Sequence, residues 1–146
     1  MDTIELLKGV ETFEGLSDDE LRQLGTICRE AHFAKGHIIT TQGEEGEEFY
    51  IIRKGLVEVS VSEMSGAAPR SVINLGVGQV VGEMALVDRG PRSATVRCVT
   101  DVVVNVIERD AFERMCQANH RIGMVVYRNL AADLSFKVRH RNLARR

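Results

Sequence analysis

Glu83 and Arg92 stand nine residues apart in the stretch Gly82-Glu83-Met84-Ala85-Leu86-Val87-Asp88-Arg89-Gly90-Pro91-Arg92-Ser93-Ala94-Thr95-Val96. Their chemistries are complementary. An arginine offers a planar fork of donors that suits phosphate oxygens. A carboxylate only accepts, so it suits a sugar hydroxyl and repels phosphate. Gly82 allows an unusual backbone conformation or close approach to a ligand, and Glu83 to Leu86 can form one helical turn with outward N–H groups. Such a turn attracts anions through its amides and dipole. Pro91 stiffens the return. One loop thus holds a phosphate clamp and a ribose hook. The plainer alternative is a Glu83–Arg92 salt bridge across a surface loop.

Other chemistry is sparse. The chain has no HExxH, GxSxG or P-loop, and His32, His37, His120 and His140 are too scattered to suggest a metal cluster. In Gly76-Val77-Gly78 followed by Gly82, the third glycine comes one place late for a dinucleotide fingerprint. The acidic run Glu44-Glu45-Gly46-Glu47-Glu48 lacks the Asp/Asn alternation of a calcium loop and reads as a solvated turn. Cys28, Cys98 and Cys116 are odd in number and far apart, which argues against a disulfide framework or a zinc site and for a reducing, cytoplasmic setting.

The elements around the loop follow from periodicity. Ser17-Asp18-Asp19-Glu20 fits a capping box, with Leu21, Leu24 and Ile27 at helical spacing behind it. From about residue 31 come short β-rich runs: Ile38 to Thr41, Phe49 to Ile52, Val57 to Val61, Ser71 to Leu75, Thr95 to Val99 and Val102 to Ile107, with Val80-Val81 also strand-like. Glycines at 36, 43, 46, 55, 66, 76 and 78 mark the turns, a pattern of sandwiches, jelly rolls and barrels. Asp110 can cap a short helix through Met115 and Cys116, and a longer helix is expected from about His120 to about Arg141. Its residues Ile122, Val126, Leu130, Leu134 and Val138 draw an apolar stripe suited to packing on the barrel. The steps of four are wrong for an extended zipper, though they allow a short homodimer contact.

With 146 residues, 44% of them hydrophobic and 27% charged, the composition is that of one folded domain. The net charge of −2 does not mark a nucleic-acid binder, but it is uneven. Residues 1–60 carry six basic and thirteen acidic groups, residues 61–127 seven of each, and residues 128–146 six basic against one acidic. The basic end suits a helix C-terminus, with contact to nucleic acid or an anionic membrane as the alternative. The start lacks a signal-peptide layout, and no run approaches eighteen apolar residues, so no membrane span is expected.

The cassette GEMALVDRGPRSATV closely resembles the phosphate-binding cassette of cyclic nucleotide-binding domains, and Gly43 to Ile52 followed by Gly55 to Val59 resembles their paired-glycine turn and strand pair. The resemblance covers about Phe13 to Val138. It implies a mainly β fold: an eight-stranded antiparallel β-roll, jelly-roll-like, with an N-terminal helical part (1–30), a roll (31–108) carrying the cassette at 82–96, two C-terminal helices (109–142), and a basic tail (143–146). The second C-terminal helix is expected to move over the ligand. Residue by residue, Glu83, with the Gly82 amide nearby, is implied for the ribose 2′-hydroxyl. Arg92 is implied for the cyclic phosphate, helped by the amides of Ala85 and Ser93, and Met84 falls in the same set. The family often has Phe where this chain has Val81, which alters packing more than chemistry. Ser93 leaves the base preference between cAMP and cGMP open, with cAMP favoured. Phe136, Lys137 and Arg139 are the candidates for a lid over the base.

What the resemblance implies is a sensor without catalytic residues, cofactor or metal, whose ligand is cAMP or cGMP. An effector protein would read its state. A truncated transcription regulator of the catabolite activator type is the first alternative, since nucleic-acid binding would need a further domain. A barrel that binds a protein partner without nucleotide is the second, and Glu83 and Arg92 speak against it. A cupin-like enzyme would need an inward metal cluster, which the spacing does not offer.

Overall fold

The run Phe49-Tyr50-Ile51-Ile52 is apolar on both parities, so a strand made from it must be covered on both faces. In the computed structural model, which describes residues 1–63, 68 and 70–144, it forms the middle of β3 (Glu48–Lys54), and all four residues are buried. Phe49 and Ile51 face a cluster built from the helices, while Tyr50 and Ile52 face the interior of a β-roll.

Among the described residues the roll has eight strands: β1 (Arg29–Phe33), β2 (Ile38–Thr40), β3, β4 (Val57–Val61), β5 (Ser71–Leu75), β6 (Val80–Val81), β7 (Thr95–Cys98) and β8 (Val102–Glu108). They make two four-stranded sheets, β1-β8-β3-β6 and β2-β7-β4-β5, and every pairing is antiparallel. The mainly β architecture with flanking helices is therefore as the sequence implies. One strand was not expected: β1 starts at Arg29, within the segment read as helical. Its sequence, Arg-Glu-Ala-His-Phe, carries the mixed polarity of an edge strand, and its pairing with β8 is what places it in the sheet.

The helices close one side. α1 (Thr3–Lys8), a 3₁₀ turn (Glu11–Phe13) and α2 (Asp18–Thr26) precede the roll, and α4 (Arg109–Ala118) and α5 (His120–Ala144) follow it. Leu6, Leu7, Phe13, Leu24, Phe112, Ile122 and Val126 pack with Phe49, Ile51 and Ile107 into one cluster. The capping box at Ser17 and Glu20 forms in both directions. Ser17→Ala is expected to lower unfolding stability by about 1 kcal/mol, measurable as a lower urea midpoint with unchanged slope.

Two local expectations need correction. Asp110 is not the cap of α4: the helix begins at Arg109 with Glu108 in the cap position, and no side-chain cap bond forms. β8 runs directly into the helix there, so Asp110 falls inside its first turn, where its charge still complements the dipole. The α5 stripe packs only over its first half. Ile122, Val126 and Leu130 are buried and Leu134 is half-buried, but Val138 is 69% exposed because the helix outruns the surface beneath it. The turn placed at Gly66 and the tail residues Arg145 and Arg146 lie outside the described residues. Among the described residues no helix is long and apolar enough to cross a membrane.

Candidate ligand site

β6 ends at Val81, and the chain then turns at Gly82 with φ +78°, a conformation that L side chains rarely adopt. A side chain here would also collide, because a Cβ on Gly82 would lie 2.8 Å from Arg92 Nη1 and 3.2 Å from the Glu48 carbonyl oxygen. The expected helical turn follows as α3 (Met84–Val87). Glu83 takes its cap position without a side-chain cap bond, so its carboxylate is not spent on the helix. The Ala85 N–H, expected on a phosphate, closes the turn on the Gly82 carbonyl at 3.0 Å. Ala85 and Leu86 are buried and anchor the turn, while Met84 is half-buried.

Arg92 returns to the same place from the other end of the loop. Its backbone N–H donates to the Glu44 carbonyl at 2.8 Å, and its own carbonyl accepts from Gly43 N–H at 2.9 Å. Its Nη1 donates to the Glu48 carbonyl at 2.6 Å, and its guanidinium carbon lies 5.8 Å from the centre of the Tyr50 ring. The acidic turn at 43–48 is thus the cradle of Arg92 rather than a free solvated turn. The sequence signal was present in the two glycines three residues apart: at Gly46 even a Cβ would come within 2.5 Å of Arg92 Nη2.

The site's charges are left available. Among the described residues no ion pair joins Glu83 to Arg92, so the plain salt-bridge reading of this pair does not describe the structure. Arg92 is instead held by a neutral carbonyl and an aromatic face, which orient a cation without cancelling its charge. Burial, followed by the neighbouring Glu48 carboxylate, pushes the Tyr50 hydroxyl above the ordinary tyrosine range, so it stays a neutral donor.

Gly82, Glu83, Arg92 and Ser93 line one cavity of about 880 Å³. Val59, Val61, Ile73 and Leu75 of β4 and β5 make its apolar side. Leu130, Asp133 and Lys137 of α5 make part of its wall. Of the three lid candidates only Lys137 lines the cavity, and its ammonium pairs with Asp133 at 2.9 Å. Phe136 is 61% exposed and stacks on His140 with ring centres 4.1 Å apart, and Arg139 is exposed.

The cavity is tied to the N-terminal segment through α5. Asn129 Nδ2 donates to the carbonyls of Thr12 and Glu14 at 2.9 Å each, and Arg121 donates to the Gly15 carbonyl at 3.0 Å and to the Glu20 carboxylate. These polar links were not visible in the sequence, because none is at short range along the chain. Other reactive groups stay apart from the cavity. Burial pushes the Cys28 thiol up to about 12 and the Cys116 thiol up to about 11, so both are poor nucleophiles. Among the described residues no group of three or more His, Cys, Asp or Glu is placed to hold a metal ion.

Comparison with known proteins shows the family. The family model "Cyclic nucleotide-binding domain" matches residues 30–119. A cGMP-dependent protein kinase of Drosophila melanogaster (isozyme 2 forms cD5/T2) is 32% identical over 113 residues, 76% of this chain and 12% of the kinase. The cyclic AMP receptor protein of Thermus thermophilus is 29% identical over 137 residues, 94% of this chain and 61% of that protein. Among solved structures, the regulatory domain of Toxoplasma gondii PKA with cAMP superposes with a TM-score of 0.79 at 29% identity, covering 91% of this chain and 48% of that one. The chain spans less than two thirds of the length of each of these three relatives.

Proposed function

As the chain belongs to the cyclic nucleotide-binding domain family, we propose that it is a regulatory sensor that takes cAMP, with cGMP as the second ligand, and signals through α5. The observation that carries this reading is Arg92, cradled on a carbonyl and a ring, without a carboxylate partner among the described residues and sharing one cavity with Glu83. In this reading Arg92 binds the cyclic phosphate, Glu83 accepts from the ribose 2′-hydroxyl, and Gly82 and Ser93 supply close backbone in the same cavity, while Met84 and Ala85 lie outside its lining and build the α3 turn beside it. The cAMP in the Toxoplasma gondii relative supports the first ligand, and the cGMP-dependent kinase relative keeps the second in view.

The relay follows from the wall of the cavity. A ligand shifts a conformational equilibrium only through contacts that differ between the two states. α5 supplies Leu130, Asp133 and Lys137 to the cavity and is fastened to the 3₁₀ turn by Asn129, so a ligand that touches those side chains biases both segments together. Lys137 is the lid residue this geometry favours.

Calorimetric titration of the folded chain with cAMP, cGMP and 5′-AMP tests the reading. Saturable heat is expected with a cyclic nucleotide and much weaker binding with 5′-AMP, whose second phosphate charge and open ring do not fit a clamp for a monoanionic ring. Absence of heat with both cyclic nucleotides would make a partner-binding barrel the better description.

A further inference from the structure

Glu48 lends its carbonyl to Arg92, and the same residue carries a carboxylate that could compete for that cation. Two donors occupy the carboxylate instead. Arg29 Nη2 donates to Oε2 at 2.5 Å, and the Tyr50 hydroxyl donates to Oε1 at 3.1 Å. The strand register explains why these groups meet. Glu48 and Tyr50 are two apart on β3 and share a face. Arg29 of β1 and Tyr50 of β3 both pair with Val106 of the intervening β8, so the arginine sits on the same rung as the tyrosine and reaches across β8 to Glu48. Among the described residues no carboxylate forms an ion pair with Arg92.

The geometry points to Arg29 as a positioning residue for the ligand site: by holding the Glu48 carboxylate it keeps that group off Arg92 and leaves the guanidinium open to a phosphate. This rests on Arg92 being the phosphate-binding group. An intramolecular competitor lowers the fraction of molecules competent to bind, and the apparent Kd rises by the inverse of that fraction. If the released carboxylate captured Arg92 in nine molecules out of ten, binding would weaken about tenfold.

Titration of the parent and two variants with cAMP, or with cGMP if that is the ligand taken up, separates this role from simple stapling of β1 to β3. Arg29→Ala is expected to raise Kd about tenfold, and adding Glu48→Gln, which removes the competing charge, is expected to return Kd to within about twofold of the parent. A staple would behave differently, because the lost bond stays lost in the double variant and Kd would not recover. Thermal melting without ligand checks that each variant is folded. An Arg29→Ala variant that binds within about twofold of the parent, or a double variant that fails to recover, overturns the proposal. Failure of the underlying site is distinguishable: the parent would then bind no cyclic nucleotide, or Arg92→Ala would bind as tightly as the parent, and the proposal would fall with it.

Discussion

Arg92→Ala is expected to leave the protein folded and to weaken cyclic nucleotide binding roughly ten- to a hundredfold, the equivalent of about 1.5–3 kcal/mol for a lost charge-assisted hydrogen bond. The fold should tolerate the change. Arg92 is only half-buried, its side-chain bond goes to a single carbonyl at the rim of the roll, and neither apolar cluster includes it. The ligand-induced stabilisation is the sensitive readout. At a ligand concentration about 100 times the parent Kd, binding adds about 2.7 kcal/mol, and after a hundredfold loss of affinity the same concentration adds only about 0.4 kcal/mol. For a domain of this size the rise in melting temperature should shrink from roughly 5–10 °C to about 1–2 °C. A thermal-shift measurement with cAMP and cGMP checks this, and an undiminished rise in the variant would remove Arg92 from the phosphate site.

The legible part of the fold was the part governed by periodicity. The runs at Val57–Val61 and Ser71–Leu75 became β4 and β5 with the same bounds, and the doubly apolar run at 49–52 became the strand shared by both clusters. Short-range side-chain chemistry was legible too, as the capping box at Ser17 shows. What stayed hidden depends on contacts remote along the chain. β1 exists because β8 pairs with it, and the polar links of Asn129 and Arg121 reach more than a hundred residues back to the N-terminal segment. The same divide runs through the site. Gly82, Glu83 and Arg92 could be picked out because one loop carries them all, whereas the cradle at 43–48 looked like a solvated acidic turn until its partner 44 residues later was brought against it. Four glutamates concealed a role that belongs to the backbone and to one glycine. The far end of α5 was least legible, since that helix is apolar on one stripe and polar elsewhere, and only its path past the cavity sets Lys137 in the wall and leaves Phe136 and Arg139 out of it.

Gly46→Ala should therefore impair binding without removing any group that touches the ligand. The new methyl would occupy the space now filled by the Arg92 guanidinium, and what it meets is the far end of a flexible side chain rather than backbone. The conflict is relieved by moving Arg92, so stability without ligand should change by less than about 1 kcal/mol, as for most substitutions outside a core. The guanidinium then loses the position set by the Glu48 carbonyl and the Tyr50 ring, and a donor displaced by about an ångström from its acceptor gives up most of a hydrogen bond's directional strength. Binding is expected to fall about tenfold or more, approaching the Arg92→Ala value of roughly 1.5–3 kcal/mol. Gly55→Ala supplies the opposite control. Gly55 has φ +99°, and a Cβ there would run into the backbone carbonyl of Asp101, which cannot swing aside. That variant should lose more than about 1 kcal/mol of stability through backbone strain, while whatever folded protein remains keeps its affinity, because Gly55 does not line the cavity. Chemical denaturation and calorimetric titration of both variants separate the two effects. If Gly46→Ala bound cyclic nucleotide as tightly as the parent, the acidic turn would be a neighbour of Arg92 and not the element that aims it.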